Sequence, residues 1–306
     1  MPLLRIFAPL ALVALLAFLF SRTDFGALKN AFAQVSAGHL IAGFVLVQVQ
    51  IVVSALRWRF TAARLGEAMP LPLAISEYYV ASFLNQTLPG GVAGDAVRAF
   101  RMRGDGPGGW KRPAKAVLFE RLSGQMAIFV LALCGLFVWP LVLGGEDAGQ
   151  LALHIALGFI VFAAVIAIGT LVVKSRFSWV GQFTEEVVAV FIRDGALWIQ
   201  AGTSLLIVAT YSACFFLASD GVGAQLPWTA ALTVIPLSLI AMLIPAGFGG
   251  WGTREAAAMA LWPLIGATPT EGLAASIVYG GLSIAGALPG LVILSLGTLR
   301  SKPRRA

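Results

Sequence analysis

The chain predicts an all-α polytopic membrane protein, built as an inverted-topology repeat of six transmembrane helices plus two re-entrant helical hairpins. Three observations lead there. Hydrophobic residues make up 59% of the sequence and charged residues 11%, more apolar surface than a soluble fold of this length buries. One pattern, P-x-G-x-x-G-x-x-x-R, occurs twice: Pro89-Gly-Gly91-Val-Ala-Gly94-Asp-Ala-Val-Arg98 and Pro245-Ala-Gly247-Phe-Gly-Gly250-Trp-Gly-Thr-Arg254. The basic residues gather in alternate loops, as the positive-inside rule requires of a multi-pass chain.

Taken in order, the apolar run 3–20 reads as a retained first helix, since it lacks a small-residue cleavage site for a signal peptide. Phe25, Leu28, Phe32 and Val35 share a helical face and predict an amphipathic helix in the outer interface. Run 39–56 is long enough for a second crossing. The apolar stretch 71–96 carries the first Pro/Gly break, and runs 116–140 and 151–173 are the third and fourth crossings. Phe177, Val180, Phe183, Val187 and Phe191 predict a second amphipathic helix, in the inner interface. Run 197–217 is the fifth crossing, 227–268 carries the second break, and 272–298 is the sixth crossing. Gly280, Gly281, Gly286 and Gly290 predict close helix packing there. Trp58, Trp179 and Trp198 near inner ends, and Trp139, Trp228 and Trp262 near outer ends, suit aromatic belts.

The two breaks lie 156 residues apart, Pro89 to Pro245. The same shift carries the first-half runs onto the second half, so an internal repeat is expected, with halves 1–150 and 151–306. Arg57, Arg59 and Arg64, then Arg101, Arg103, Lys111, Arg112 and Lys115, mark cytoplasmic loops on both sides of the first break. Lys174, Arg176 and Arg193, and the closing Arg300, Lys302, Arg304 and Arg305, put both termini on that side as well. Hairpin 71–96 then enters from the cytoplasm and hairpin 229–268 from outside, the plan of inverted-repeat transporters.

A broken helix carrying a cation inside a bilayer is costly and marks a substrate path. Gly91, Gly94, Gly247 and Gly250 let a ligand approach the backbone, and the helix restarting after the turn aims its positive end there. Arg98 and Arg254 add guanidinium forks suited to phosphate, so they are expected to form two halves of one phosphate site. Their structural alternative is pairing with Asp95 or Glu255. Replacing either arginine with alanine is expected to abolish transport with the fold intact. Glu120 and Arg121 begin the third crossing, and their shifted counterparts are Ser276 and Ile277, so this pair breaks the symmetry. Glu77, Asn85, Gln86, Gln48 and Gln50 are polar groups in apolar runs and need partners inside the protein.

Other function classes fall away. The net charge of +7 sits in short loops without a basic helix or aromatic box, which excludes nucleic acid. Cys134 and Cys214 read as core hydrophobes, and His39 and His154 stand alone, so no metal site is expected. With no Ser/His pair, zinc-ligand set or P-loop, neither catalysis nor a cofactor is expected.

The stretch from Tyr78 to Arg98, with Glu120-Arg121 and the stretch from Ile244 to Glu255, resembles the lysylphosphatidylglycerol synthase transmembrane (flippase-like) family. The resemblance spans nearly the whole chain. It implies a domain that moves a lipid with a polar head group between leaflets of the bacterial cytoplasmic membrane. The chain ends soon after its last crossing, so a stand-alone member without the synthase domain is expected. Its lipid would be a phospholipid or a polyprenyl-phosphate-linked glycolipid. The family often has Arg after Tyr where this chain has Tyr279-Gly280, which puts a third cationic contact in doubt. The expected function is a flippase or scramblase that binds lipid through Arg98, Arg254, Glu120, Arg121, Asn85, Gln86, Gly91, Gly94, Asp95, Gly247, Gly250 and Glu255. The alternatives are a secondary transporter of a small soluble anion and an accessory subunit of lipid or glycolipid synthesis. Partner classes are a second copy and a lipid-synthesis enzyme.

Overall fold

The computed structural model describes residues 24–300, apart from 106–107, 145–148, 151–152, 155, 158–159, 161–177 and 245–248. Run 3–20 and nearly all of run 151–173 lie outside the described residues, as does Gly247. The regular structure of the described residues is helical throughout.

Asp24 starts α1 (Phe25–Ala33) by accepting from the amides of Gly26 and Ala27, and Ser36 caps α2 (Ala37–Arg64) in the same way through the amide of His39. α3 (Leu71–Thr87) begins after Pro70 and ends at the first break, where Gly90 (φ 83°) and Gly91 (φ 64°) adopt the left-handed conformation. α4 (Ala93–Arg101) follows, then α5 (Lys111–Leu136) and the short α6 (Trp139–Leu143). α7 (Ser178–Phe191) and α8 (Ala196–Gly221) are joined through a tight turn at Arg193–Gly195. α9 (Val234–Ala241) leads into the second break, α10 (Thr253–Leu261) leaves it, and α11 (Pro269–Arg300) closes the fold.

Among the described residues, four helices are long and apolar enough to cross a membrane: Ala37–Arg64, Lys111–Leu136, Arg193–Gly221 and Pro269–Leu296. They coincide with runs 39–56, 116–140, 197–217 and 272–298. The two breaks appear as helix–turn–helix elements, α3–α4 and α9–α10, whose arms pack on one another.

The helix boundaries recur at the spacing of the breaks. α2 shifts onto the segment from Arg193 through α8, α4 onto the region of α10, and α5 onto α11. Contacts recur too. α3 packs on α11, and its counterpart α9 packs on α5. Both crossings need glycine: a Cβ on Gly290 would collide with the carbonyl of Tyr79, and one on Gly135 with that of Leu232. Gly286 admits Val47 and Gln48 of α2 in the same way, and Gln48 Nε2 donates to the Gly286 carbonyl at 3.1 Å. Gly281, in contrast, faces open space.

α2 and its counterpart α8 run antiparallel. His39 meets Asp220 at 3.1 Å, Arg57 meets Ser204 at 2.9 Å, Gln200 meets Thr61 at 3.0 Å and Arg64 meets Asp194 at 3.1 Å. Residue numbers fall along α8 as they rise along α2. Shifting the first pair by the repeat spacing lands next to the last, which is how two equivalent helices pack about a two-fold axis.

Several expectations about surfaces need correction. Leu28 and Phe32 of α1, with Val35 just after it, pack on Val222, Ala224, Ala274 and Ala275, so protein rather than lipid covers that face. Phe183 and Phe191 of α7 pack on Phe119 at ring separations of 5.5 and 6.1 Å. The side chains of Phe177, Trp179 and Val180 lie outside the described residues. Trp58 and Trp262 are fully buried, so they are core residues and not part of a belt, whereas Trp198 and Trp228 are exposed. Cys214 is buried but Cys134 is not. His39 does not stand alone: its ring joins Ser36 at 2.7 Å and Asp220 at 3.1 Å. A Ser/His pair therefore exists, but Ser36 is the cap of its own helix, and the chain of bonds ties the start of α2 to the end of α8.

Candidate functional site

The two breaks meet. A Cβ on Gly91 would stand 3.9 Å from Gly249 Cα, and one on Gly249 would stand 2.9 Å from Gln86 Cα. Gly249 and Gly250 have φ of 54° and 85°, conformations open to glycine, and the contact between turns leaves no room for a side chain. Next to this junction lies a cavity of about 270 Å³.

Its lining is two-sided in polarity, with Val47, Ile51, Ala81 and Ile128 of the first half joining the apolar residues of the second. The polar side comes from the first half: Gln50, Ser54 and Arg57 of α2, Asn85 and Gln86 of α3, Asp95 of α4, Glu120, Arg121 and Gln125 of α5. The second half supplies Ile207, Val208, Leu239, Met242 and Leu243, with Tyr211 and Ser283 as its polar members. The asymmetry is written in the sequence, since the shift takes Asn85 to Ala241, Gln86 to Met242 and Arg121 to Ile277.

Under the polar side lies a connected ion cluster. Glu120 is buried and accepts from Arg57 Nη2 at 2.7 Å, from Tyr78 Oη at 3.1 Å and from Arg98 Nη2 at 3.2 Å. Arg98 also donates to Asp95 at 2.7 Å, and its guanidinium is sandwiched between Trp58 and Tyr78, 4.4 and 4.5 Å from the ring centres. Asp95 takes further bonds from Asn85 Nδ2 at 3.0 Å and from Arg121 Nε, while Arg121 Nη2 donates to the Gly91 carbonyl at 2.8 Å. Asn85 Oδ1 accepts from the Gly94 amide at 2.8 Å, which fixes the start of α4. Gly94 packs so tightly on Ala81 that no side chain fits. Three guanidiniums share two carboxylates, so the cluster carries one surplus positive charge.

Arg254 sits apart from the cavity. It is buried, paired with Glu255 at 2.6 Å, hydrogen-bonded to Ser276 at 2.9 Å, and flanked by Trp251 and Tyr279 at 5.0 Å each. Glu255 in turn accepts from the Gly252 amide at 2.6 Å and caps α10. Ser276 is the shifted counterpart of Glu120, so the Arg98–Glu120 contact recurs as Arg254–Ser276 without its charge. Gly280 lies against Arg254 Nη2 and Trp251, so an arginine in its place would collide with them.

The structure thus gathers Arg121, Glu120, Asn85, Gln86, Gly91 and Asp95 around one cavity, with Gly94 and Arg98 directly behind. It does not bring Arg98 and Arg254 together: each is locked into the ion pairs of its own half, as the structural alternative had it. Gly250 lies against Met242, and Glu255 is the helix cap. Of the other polar residues, Glu77 forms a two-pronged pair with Arg101 at 2.7 and 2.8 Å, and Gln48 accepts from Tyr79.

Sequence reasoning missed Arg57. Run 39–56 ended just before it, so it read as the first loop cation, but α2 continues to Arg64 and buries it. Gly124 of α5 makes room for its guanidinium. A signal was present: Gln50, Ser54, Arg57 and Thr61 recur every three or four residues, a polar stripe on one helix face. That stripe continues inward through Ser204, Ser123 and Gln200, linked at 3.0 Å each, and Ser204 accepts from Arg57 Nη1.

No curated protein matches the chain. Residues 5–290 match the family model described as the lysylphosphatidylglycerol synthase TM region. With four long apolar helices among its described residues, the chain is a multi-pass membrane protein of lipid-related processes. By that match, which covers nearly all its length, it belongs to the lysylphosphatidylglycerol synthase transmembrane family.

Proposed function

We propose that this protein is a transporter rather than an enzyme, a flippase or scramblase that moves a lipid with a phosphate-containing head group across the bacterial cytoplasmic membrane. The observation that carries the reading is the two-sided cavity. A lipid is amphipathic, and here a charged, amide-rich wall faces an apolar one within a domain from a lipid-related family. The surplus positive charge favours an anionic head group, and Arg121 and Arg57, which line the cavity, are its contacts. A small soluble anion would leave the apolar wall without a partner. At about 270 Å³ the space is near the lower end of ligand cavities, roughly 300–1,000 Å³, so it holds a head group while the chains stay in the bilayer.

Transport needs alternate exposure of this site. Antiparallel packing of the equivalent helices α2 and α8 supports halves of opposite topology, 1–150 and 151–306, with α3–α4 and α9–α10 as hairpins entering from opposite sides. Arg98 and Arg254 then serve as anchors that hold each hairpin to its own half, and rocking between halves opens the cavity to one leaflet at a time.

The reading is tested by native mass spectrometry of protein extracted from membranes. Wild type is expected to retain a phosphate-bearing lipid, and Arg121→Gln to lose it. Arg121 is a suitable target because it is partly exposed and its loss leaves the pairs of Glu120 with Arg57 and Arg98, and of Asp95 with Arg98, in place. Equal retention by both proteins would contradict the assignment.

A further inference from the structure

The two carboxylates of the cluster are held differently. Glu120 is clamped between the buried guanidiniums of Arg57 and Arg98, its side chain 2% exposed. Asp95 and Arg121 form the open side, with side chains 11% and 30% exposed, and both line the cavity. Arg121 gives Nε to Asp95 and Nη2 to the Gly91 carbonyl, and its Nη1 has no hydrogen bond among the described residues. A carboxylate and a phosphodiester offer a guanidinium the same thing: two acceptor oxygens sharing one negative charge.

We propose that Asp95 is a resident stand-in for the cargo: on Arg121 its carboxylate holds the place that the lipid phosphodiester takes, and head-group entry exchanges one anion for the other. This rests on the reading of the cavity as a head-group site. Paired with Asp95, Arg121 does not face apolar lining as a bare charge, which would be costly. When cargo takes Arg121, Asp95 still has Arg98 at 2.7 Å and Asn85 at 3.0 Å, so no carboxylate is left unpaired.

The charge count selects the cargo. Three guanidiniums against two carboxylates become neutral on gaining one negative charge, which a phosphodiester brings and a doubly charged phosphomonoester exceeds. Competition from a tethered carboxylate also keeps cargo binding weak, and a carrier needs a site that fills and empties readily.

The test measures binding to the purified full chain by isothermal titration calorimetry. The probes are the water-soluble dihexanoylphosphatidylglycerol and the uncharged dihexanoylglycerol. Asp95→Asn is expected to bind the anionic probe about tenfold more tightly than wild type, with affinity for the uncharged probe unchanged. Arg121→Gln is expected to bind the anionic probe about tenfold more weakly. Should Asp95→Asn not fold, Asp95→Ser carries the same expectation. If Arg121→Gln weakens anionic binding but the Asp95 variants leave it unchanged or weaker, the exchange is wrong and the head-group site stands. If wild type and Arg121→Gln bind the anionic probe alike, the head-group reading itself fails, and the exchange with it.

Discussion

Glu120→Ala is expected to lower stability by about 3–5 kcal/mol, the cost of removing one partner from a buried ion pair. The reason lies in what stays behind. Arg57 and Arg98 are both buried, and both point a nitrogen at Glu120, at 2.7 and 3.2 Å. Arg57 would keep one hydrogen-bond partner, the Ser204 hydroxyl, and Arg98 would keep its flanking rings and Asp95, already shared with Arg121. Arg57 Nε and Arg98 Nε and Nη1 have no hydrogen-bond partner among the described residues, so the cluster has little spare capacity to absorb the loss. Lys115→Ala serves as the comparison. Its pair with Glu186, at 2.6 Å, joins the two halves, but the lysine is 37% exposed and the change should cost about 0–1 kcal/mol. Thermal unfolding in detergent, read from intrinsic tryptophan fluorescence, checks both. A Glu120 variant as stable as the Lys115 variant would show that the cluster does not hold the first half together.

Arg254→Ala should cost about 3–5 kcal/mol, and Arg98→Ala only about 1.5–3 kcal/mol. The order follows from the partners that remain. Without Arg254, Glu255 keeps the Gly252 amide and the Ser276 hydroxyl but has no cation. Without Arg98, Glu120 still has Arg57 and Asp95 still has Arg121. Arg98→Ala also removes the surplus positive charge beside the cavity, so its folded fraction should bind anionic lipid poorly. These values replace the sequence-based expectation that both substitutions spare the fold. Unfolding curves for the two variants decide the point, and an Arg254 variant as stable as wild type would contradict it.

The all-helical, membrane-spanning character was legible in the sequence because its signals are local. Apolar runs of bilayer length marked the four described crossings, and Pro/Gly turns with a fixed spacing marked the breaks. The spacing of the motif also anticipated the spacing at which the described helix boundaries recur. Partners were harder to read, because they depend on contacts between distant segments. Arg98 and Arg254 looked alike along the chain, each beside a carboxylate, yet Glu120 lies 22 residues beyond the first and Ser276 the same distance beyond the second. Only the fold turns those spacings into an ion pair in one half and a neutral bond in the other. The apolar faces of α1 and α7 show the same limit, since periodicity identifies a face that must be covered but not what covers it. Arg57 was hidden for a simpler reason. Hydropathy ends a crossing at the first cation, whereas a helix continues as long as each polar group finds a partner, and Arg57 finds Glu120 and Ser204.

The central claim, that this chain passes an anionic lipid between leaflets, is tested most directly in proteoliposomes. Purified protein is reconstituted with fluorescently labelled phosphatidylglycerol on both leaflets, and a membrane-impermeant reductant is then added outside. Label in the inner leaflet should become reducible with the wild-type chain, and should stay protected with Arg121→Gln and in protein-free vesicles. Protection of the inner-leaflet label by wild type, at the level of protein-free vesicles, would contradict the account.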